Sequence, residues 1–402
     1  MRIAEINTVT YGSTGKIMLQ IAEKARCSSY EVKTFSPVLA GRRKGRLPKI
    51  EDHFYFGSWF SNSINSVIER ITGYQNCFSL SSTRVLLKQL KEFSPDIIHL
   101  HNLHSTYIDL GKLFGFIKKN GIKVVWTLHD CWAFTGKCPH FTYSKCDKWL
   151  TTCKNCPSCS EYPKSYFDKT EKMHKLKKEW FSNINDMTIV TPSEWLAGLV
   201  KQSFLKEYPV RVINNGIDLS VFRPTESDFR KKYDCVDKFI ILGVAYWWGP
   251  KKGLDVFSEL ACRLDDRFRI VLVGTDETID KNLPKNIISI NRTHDQSELA
   301  QIYSAADLFV NPTREDNYPT VNMESIACAT PVVTFKTGGS PEIIDSTCGS
   351  VVDSGSIDDI EKEIMRIFSD LPYGKEDCLK KAGSFDMNNR FSEYIDLYKS
   401  FS

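Results

Sequence analysis

NPTREDNYPTVNMESIACATPVVTFKTGGSPE, residues 311–342, is the stretch whose reading decides the fold. Before it, Asp307, Leu308, Phe309 and Val310 form a short run that stops at Asn311 and Pro312, as a buried parallel strand does when turn residues end it. Pro319 stands where a first helical residue would. Val321, Met323 and Glu324 to Ala329 continue as helix until Thr330 and Pro331 close it. Val332 to Phe335 is the next strand. Strand, loop, helix and strand in that order put the loop at the carboxyl end of a parallel sheet, where open α/β folds bind ligands. Asp316 and Glu324 are therefore expected at a site, although the helix dipole favours an early acid by about 0.3–1 kcal/mol with no ligand at all.

Outward from this stretch the same alternation fills the chain. Lys238 to Ala245 is a strand, followed by Tyr246-Trp247-Trp248-Gly249-Pro250-Lys251-Lys252-Gly253 and a helix from Leu254 to Leu264. The dipole opposes cations at a helix start, so Lys251 and Lys252 imply an anion sharing their site. Arg269 to Val273 is a further strand, and Asp295 to Glu298 is a capping box opening the helix to Ala305. In the first half, Met1 to Val9 reads as a strand leading to a glycine loop, Gly12 to Gly15, at a helix start. Its amides suit a phosphate or sugar oxygen. It is not a Walker loop, because the first glycine of that motif is missing and Ile17 replaces the hydroxyl residue.

Phe56, Phe60, Ile64, Val67, Ile68 and Ile71 recur at helical spacing, with Trp59 beside them. The pattern predicts a core or groove-lining helix in preference to a membrane-touching one, since only Arg70 on this stretch is basic. Asp96 to His101 and Ile122 to Leu128 are strands around a helix from Tyr107 to Lys119. His99 and His101 share a strand face, and His104 follows; structural roles suit them at least as well as functional ones. His129 and Asp130 stand at the carboxyl end of their strand, which favours a functional role.

Between Cys131 and Pro163 the composition breaks from its flanks, with six cysteines in 29 residues. A tetrahedral zinc needs four soft ligands, and Cys138, Cys146, Cys153 and Cys156 can supply them, with Cys159 as the alternative fourth and His140 a weaker one. Unligated thiols or a bridge are the competing reading, because the C-x7-C spacing is irregular for a knuckle. A closed four-ligand site would be structural. A basic helix, Lys169 to Trp180, then leads to strand Met187 to Thr191 and a helix capped by Ser193.

A chain of 402 residues with a net charge of +4 is long enough for two domains and lacks the charge of a nucleic-acid binder, while suiting loose contact with an anionic membrane surface. Nowhere do eighteen apolar residues run together, and the start carries no signal-peptide pattern, so a cytoplasmic protein is expected. Thirteen cysteines are then thiols or metal ligands.

The spacing D-x7-E from Asp316 to Glu324 resembles the E-x7-E signature of retaining glycosyltransferases of the GT-B fold, family 4, with the first acid shortened. The glycine loop, His129-Asp130, Asn215-Gly216-Ile217-Asp218, Lys252-Gly253 and Gly338-Gly339-Ser340-Pro341-Glu342 occur in that family's order. The resemblance implies an α/β chain of two Rossmann-like domains, their parallel sheets facing a central cleft. It divides the chain into an acceptor domain at 1–209 carrying the insert 131–163, a nucleotide-sugar domain at 210–375, and C-terminal helices at 376–402 packing back on the first domain. It implies catalytic or substrate roles for His129, Lys252, Asp316 and Glu324. A donor grip is implied for Gly12, Gly15, Lys251, Asn317, Tyr318, Pro319, Thr320, Gly338 and Gly339. Glu324 would hold the ribose, Asp316 and the loop amides the sugar, Lys252 the diphosphate, and His129 would lie by the reacting carbon.

One departure concerns charge: the family's arginine five residues before the lysine is here Trp247, so Lys251 or fewer charges must hold the leaving group. The insert looks like that of some bacterial polysaccharide-assembly members. The activity implied is transfer from a nucleotide sugar to a glycan or lipid-linked oligosaccharide, with no catalytic metal and with peripheral contact at the inner face of the membrane. An epimerase or phosphorylase on the same fold, or a zinc-bearing scaffold without catalysis, are the alternatives.

Overall fold

A computed structural model describes residues 1–39 and 47–401, which form two compact α/β units. The first comprises Met1–Asn214 together with the C-terminal segment from Phe391; the second is Asn215–Arg390.

Seven strands build the first sheet: Arg2–Ile6 (β1), Glu31–Pro37 (β2), His53–Phe56 (β3), Ile97–Leu100 (β4), Lys123–Thr127 (β5), Met187–Thr191 (β6) and Val210–Val212 (β7). All pair in parallel, in the order β3-β2-β1-β4-β5-β6-β7. β4 and β6 are buried along their whole length, as expected of a parallel sheet covered on both faces. Phe114, Trp126 and Phe181 pack at centroid separations of 4.6 to 5.6 Å in the core on one face. The second unit repeats the plan with Phe239–Val244 (β8), Phe268–Val273 (β9), Ile287–Ile290 (β10), Leu308–Asn311 (β11), Val332–Phe335 (β12) and Gly349–Val352 (β13), all parallel in the order β10-β9-β8-β11-β12-β13.

In each sheet the chain starts in the middle, builds outward one way and then the other. The point of reversal lies between β1 and β4 in the first sheet and between β8 and β11 in the second. Loops leaving the carboxyl ends of those neighbours diverge to opposite faces and open a crevice.

Four details differ from the sequence expectation. The division falls after Asn214 rather than Pro209, because Val210–Val212 pairs with β6 as the seventh strand. Residues 376–390 stay with the second unit, where the helix Lys375–Ala382 packs on the helix Thr320–Ala327; only the segment from Phe391 joins the first unit, burying Tyr394 and Tyr398. Pro319 is the N-cap of its helix rather than the first helical residue. The helix Trp59–Thr72 is turned opposite to the expectation: it buries Asn62, Asn65 and Glu69 and leaves Trp59, Phe60, Ile64, Val67 and Ile71 between 44% and 60% exposed. Periodicity finds two faces of a helix but not which of them the fold covers. Among the described residues no helix is long and apolar enough to cross a membrane.

Candidate functional site

In the second unit the loop after β8 and the loop after β11 meet at the reversal point. Gly253 has φ +75°, and a Cβ there would come 2.5 Å from the Pro312 carbonyl oxygen, so glycine is what lets the two loops touch. Arg314 N–H donates to Lys251 O at 2.8 Å, fixing their register. The arrangement brings Lys252 Nζ to 2.6 Å from Asp316 Oδ2 and Lys251 Nζ to 2.7 Å from Glu315 Oε2. Carboxylates of the protein itself thus stand where an anion was inferred beside the lysines. Glu315, which sequence reasoning did not single out, is the buried member of the set. An acid immediately before Asp316 was its only sequence signal.

The Gly338-Gly339 turn backs the same loop. Gly338 has φ +56°, and its α-carbon faces the Asp316 carbonyl so closely that a Cβ would overlap it at 1.9 Å. Gly339 N–H donates to Asn317 O at 2.8 Å, and Asn317 N–H donates to Asp316 Oδ1 at 2.9 Å. These two amides, expected to be open to a ligand, are engaged within the loop. Asn317, Tyr318 and Pro319 are buried, so any grip from this stretch beyond Asp316 falls to main chain and to Thr320.

Glu324 lies on the helix Thr320–Ala327 and receives the Tyr303 hydroxyl at 3.3 Å. It lines a cavity of about 630 Å³ with Trp247, Thr275, Asn291, Arg292 and Val321. Trp247 therefore occupies the pocket wall where the resemblance called for arginine, and Arg292, from the loop after β10, brings a cation to the same cavity. Sequence reasoning missed Arg292 because β10, which carries its loop there, was not recognised.

In the first unit β1, β4 and β5 are neighbours, so Glu5, His99, His101, Thr127 and His129 fall on one face. His129 Nε2 lies 3.1 Å from His101 Nδ1, with the rings stacked at 14°, and His101 Nε2 faces Glu5 Oε2 at 3.5 Å. Burial governs the charges here. It lowers the His129 pKa to about 4, drives His101 well below the usual imidazole range, so that both rings are neutral near pH 7, and lifts Glu5 well above the usual carboxyl range. His99 bonds Tyr398 and Thr127 at 2.6 and 2.8 Å. Glu5, His99 and His101 form the metal-sized cluster among the described residues, with ligand atoms all within 4.8 Å of one another. Both His99 nitrogens are taken by Tyr398 and Thr127, whereas Glu5 Oε2 and His101 Nε2 have no hydrogen-bond partner among the described residues. Asp130 accepts from Trp132 N–H at 2.9 Å and pairs with His104 Nε2 at 3.0 Å; burial opposes its ionisation, yet His104 and these bonds hold its pKa below the usual value. The Gly12 to Gly15 turn opens the helix Gly12–Cys27 at the end of β1, where Asn7 Oδ1 accepts from Asn102 N–H at 3.1 Å and ties the loops after β1 and β4.

Cys138, Cys146, Cys153 and Cys156 line one small pocket beside Phe141 and Trp149, whereas Cys159 turns to Ser165. Cys138 and Cys156 have their sulfurs 3.8 Å apart, the separation that two ligands about 2.3 Å from a tetrahedral zinc would have. Cys153 Sγ accepts from Gly136 N–H at 3.1 Å. The hydrogen bond from Cys138 lowers the Cys156 pKa while that of Cys138 rises, as in a pair sharing one proton. Four soft donors around one pocket fit zinc in kind. The spread of the sulfurs is wider than a bound ion would hold them.

Two family models match the chain: Glycosyltransferase Family 4 over residues 38–221 and Glycosyl transferases group 1 over residues 237–370. The putative colanic acid biosynthesis glycosyl transferase WcaC of Escherichia coli (strain K12) is 23% identical over 318 residues, 76% of each chain. Among solved structures, the sucrose-phosphate synthase of Thermosynechococcus elongatus superposes with a TM-score of 0.73 at 15% identity, covering 99% of this chain and 98% of that one. Anabaena Alr3699/HepE in complex with UDP-glucose superposes at 0.67 and 14% identity over the whole of both chains.

Proposed function

The chain belongs to glycosyltransferase family 4 and has the GT-B fold, and on that premise we propose that it moves a sugar from a nucleotide-sugar donor to a glycan or lipid-linked oligosaccharide acceptor, with retention of configuration, in cell-surface polysaccharide assembly. The observation that carries the reading is the meeting of Lys252 with Asp316, on the segments after β8 and β11 that also supply Trp247 and Glu324 to the walls of one cavity. HepE, a neighbour in fold, holds UDP-glucose, and WcaC is described for colanic acid; both support the donor class and the pathway.

In this reading the nucleotide enters the cavity with its ribose hydroxyls on Glu324, and the diphosphate takes Lys252 from Asp316. Asp316, released, accepts from the sugar hydroxyls. As the bond from anomeric carbon to diphosphate oxygen breaks, its electron pair passes to the diphosphate and Lys252 stabilises that charge. The acceptor hydroxyl oxygen bonds the same face of the anomeric carbon, and its proton goes to the departing phosphate. No catalytic metal is invoked. The resemblance assigns His129, which is neutral, a hydrogen bond to the sugar or the acceptor.

A structural zinc on Cys138, Cys146, Cys153 and Cys156 would draw the sulfurs together and pin the insert, with no open position for chemistry. The apolar face of the helix Trp59–Thr72 supports peripheral contact with the inner face of a membrane.

The test is a panel of nucleotide sugars in thermal-shift measurements, followed by mass analysis of products with and without acceptor. A nucleotide sugar that stabilises the chain and loses its sugar only when acceptor is present supports transfer. A donor altered without acceptor would point to an epimerase, and no shift with any nucleotide sugar would overturn the reading.

A further inference from the structure

Glu5 is an acid in the middle of a sheet core. It stands on β1, wholly buried, on the face shared with His101 of β4 and His129 at the end of β5. Burial of a carboxyl group is costly unless its proton and its oxygens are used. One oxygen, Oε1, accepts from the Tyr398 hydroxyl at 3.4 Å. The other, Oε2, faces His101 Nε2 at 3.5 Å, and neither of these two atoms has another hydrogen-bond partner among the described residues. Across the same ring, His101 Nδ1 meets His129 Nε2 at 3.1 Å. Glu5, His101 and His129 thus stand in a row, with one line of protons running through it.

The number of protons in that row fixes its direction. If Glu5 is a carboxylic acid, its proton is on Oε2, because Oε1 already accepts from Tyr398. A proton on His101 Nε2 would then set two donors against each other, so the neutral ring carries its proton on Nδ1. If the proton has instead passed from Glu5 to His101, the ring is an imidazolium with hydrogens on both nitrogens. In both cases His101 Nδ1–H donates to His129 Nε2, and a neutral His129 keeps its own proton on Nδ1. The opposite direction requires an ionised Glu5 beside a neutral His101. That is a net charge between two side chains with no exposure to solvent, which burial opposes. Burial lifts the Glu5 pKa and outweighs the pull of Arg26 on it, and burial also lowers the His101 pKa.

We infer that Glu5 is a positioning residue: through His101 it holds His129 in the tautomer with the proton on Nδ1. The consequence for catalysis rests on the transferase reading. With Nε2 turned to His101, a hydrogen bond from the His129 ring to a substrate is donated from Nδ1. His129 then orients an oxygen and does not take the acceptor's proton, which leaves the departing phosphate as that proton's destination.

The test uses the full chain labelled with nitrogen-15 in its histidines, the His129 signals being those missing from His129→Asn. In the native chain Nδ1 should be the protonated nitrogen and Nε2 the bare one. Glu5→Gln, whose carboxamide can accept from Tyr398 and donate to His101, should keep that pattern and hold kcat within about twofold on a panel of nucleotide sugars that includes UDP-glucose. Glu5→Leu leaves His101 Nε2 without a partner in either tautomer, so His129 should become a mixture, and kcat should fall about tenfold with donor KM unchanged. A native His129 protonated on Nε2 overturns the inference, and that spectrum needs no variant to fold. A Glu5→Leu chain that keeps the native His129 pattern overturns it too, whatever its rate. The spectra need no substrate, which separates the two readings: the expected spectra with no turnover of any nucleotide sugar would support the tautomer assignment and count against the transferase reading.

Discussion

Lys252 Nζ and Asp316 Oδ2 lie 2.6 Å apart, so the residue expected to hold the diphosphate and the residue expected to hold the sugar hold each other. Both side chains are partly exposed, and a pair of this kind is worth about 0.2–1 kcal/mol. A diphosphate outcompetes the carboxylate easily, and the exchange releases Asp316 at the moment a sugar arrives. Asp316→Asn should then tighten binding of the bare nucleoside diphosphate by roughly 1.5- to 5-fold while lowering kcat/KM for the sugar donor. Calorimetry and steady-state rates check this. Weaker binding of both ligands would show that the pairing does not oppose the diphosphate.

Lys252→Ala and Glu324→Gln should separate in kinetics. In the proposed reading Lys252 faces charge that develops as the donor bond breaks, so its loss should lower kcat by about 10²-fold or more, the scale for removing one group that stabilises transition-state charge. In the same reading Glu324 holds a part of the donor that does not react, so its loss should raise KM with kcat nearly unchanged. Similar losses in both variants would remove the assigned division of labour.

His101 should act on catalysis without touching substrate. It bonds His129 Nε2 at 3.1 Å and so fixes which nitrogen of His129 carries the proton. Removing that bond in His101→Phe should lower kcat roughly tenfold, about 1.4 kcal/mol in the barrier, with donor KM unchanged. Nitrogen-15 shifts of His129 should change from one tautomer to a mixture. An unchanged His129 spectrum would mean that its tautomer is set elsewhere.

Sequence carried the α/β repeat and much of the second-unit site because each depends on local signals. Leu308–Asn311 and Val332–Phe335 are apolar runs with turn residues at their ends, and the strands fall there. Lys252-Gly253 and Asp316 are loop residues at a reversal point that strand order dictates. What sequence did not carry depends on contacts across the chain. The lysines' anion is Glu315 with Asp316, more than sixty residues away in sequence. The outward face of Trp59–Thr72 is apolar because Asn62, Asn65 and Glu69 find partners inside, which no periodicity reveals. Arg292 reaches the donor cavity only because β10 pairs with β9 at the sheet edge.

The cysteine cluster should carry one zinc per chain. Cys156→Ser should lower both metal content and Tm, because it removes one of the four sulfur donors around the pocket, the one 3.8 Å from Cys138 Sγ. Cys159→Ala should change neither, since Cys159 is turned to Ser165. Elemental analysis of chain purified without added metal decides the matter. A metal-free protein of undiminished Tm would leave the four residues as unligated thiols.

Glu69 gives the chain a pH dependence with a definite sign. Its folded pKa, about 8, lies above the ordinary 4.5, and burial is the cause. Between those values the folded state binds the proton and the unfolded state does not, so stability from this group is fully present below pH 4.5 and is lost as pH rises towards 8. Glu69→Gln keeps a neutral group that can still accept from Asn76 N–H and has nothing to ionise. The Tm of Glu69→Gln minus that of the native chain should therefore rise steadily from pH 4.5 to pH 8 and then level off, because above pH 8 Glu69 of the native chain is ionised in the folded and the unfolded state alike. A difference that stays flat across this range would show that the carboxyl is ionised in the folded chain at neutral pH.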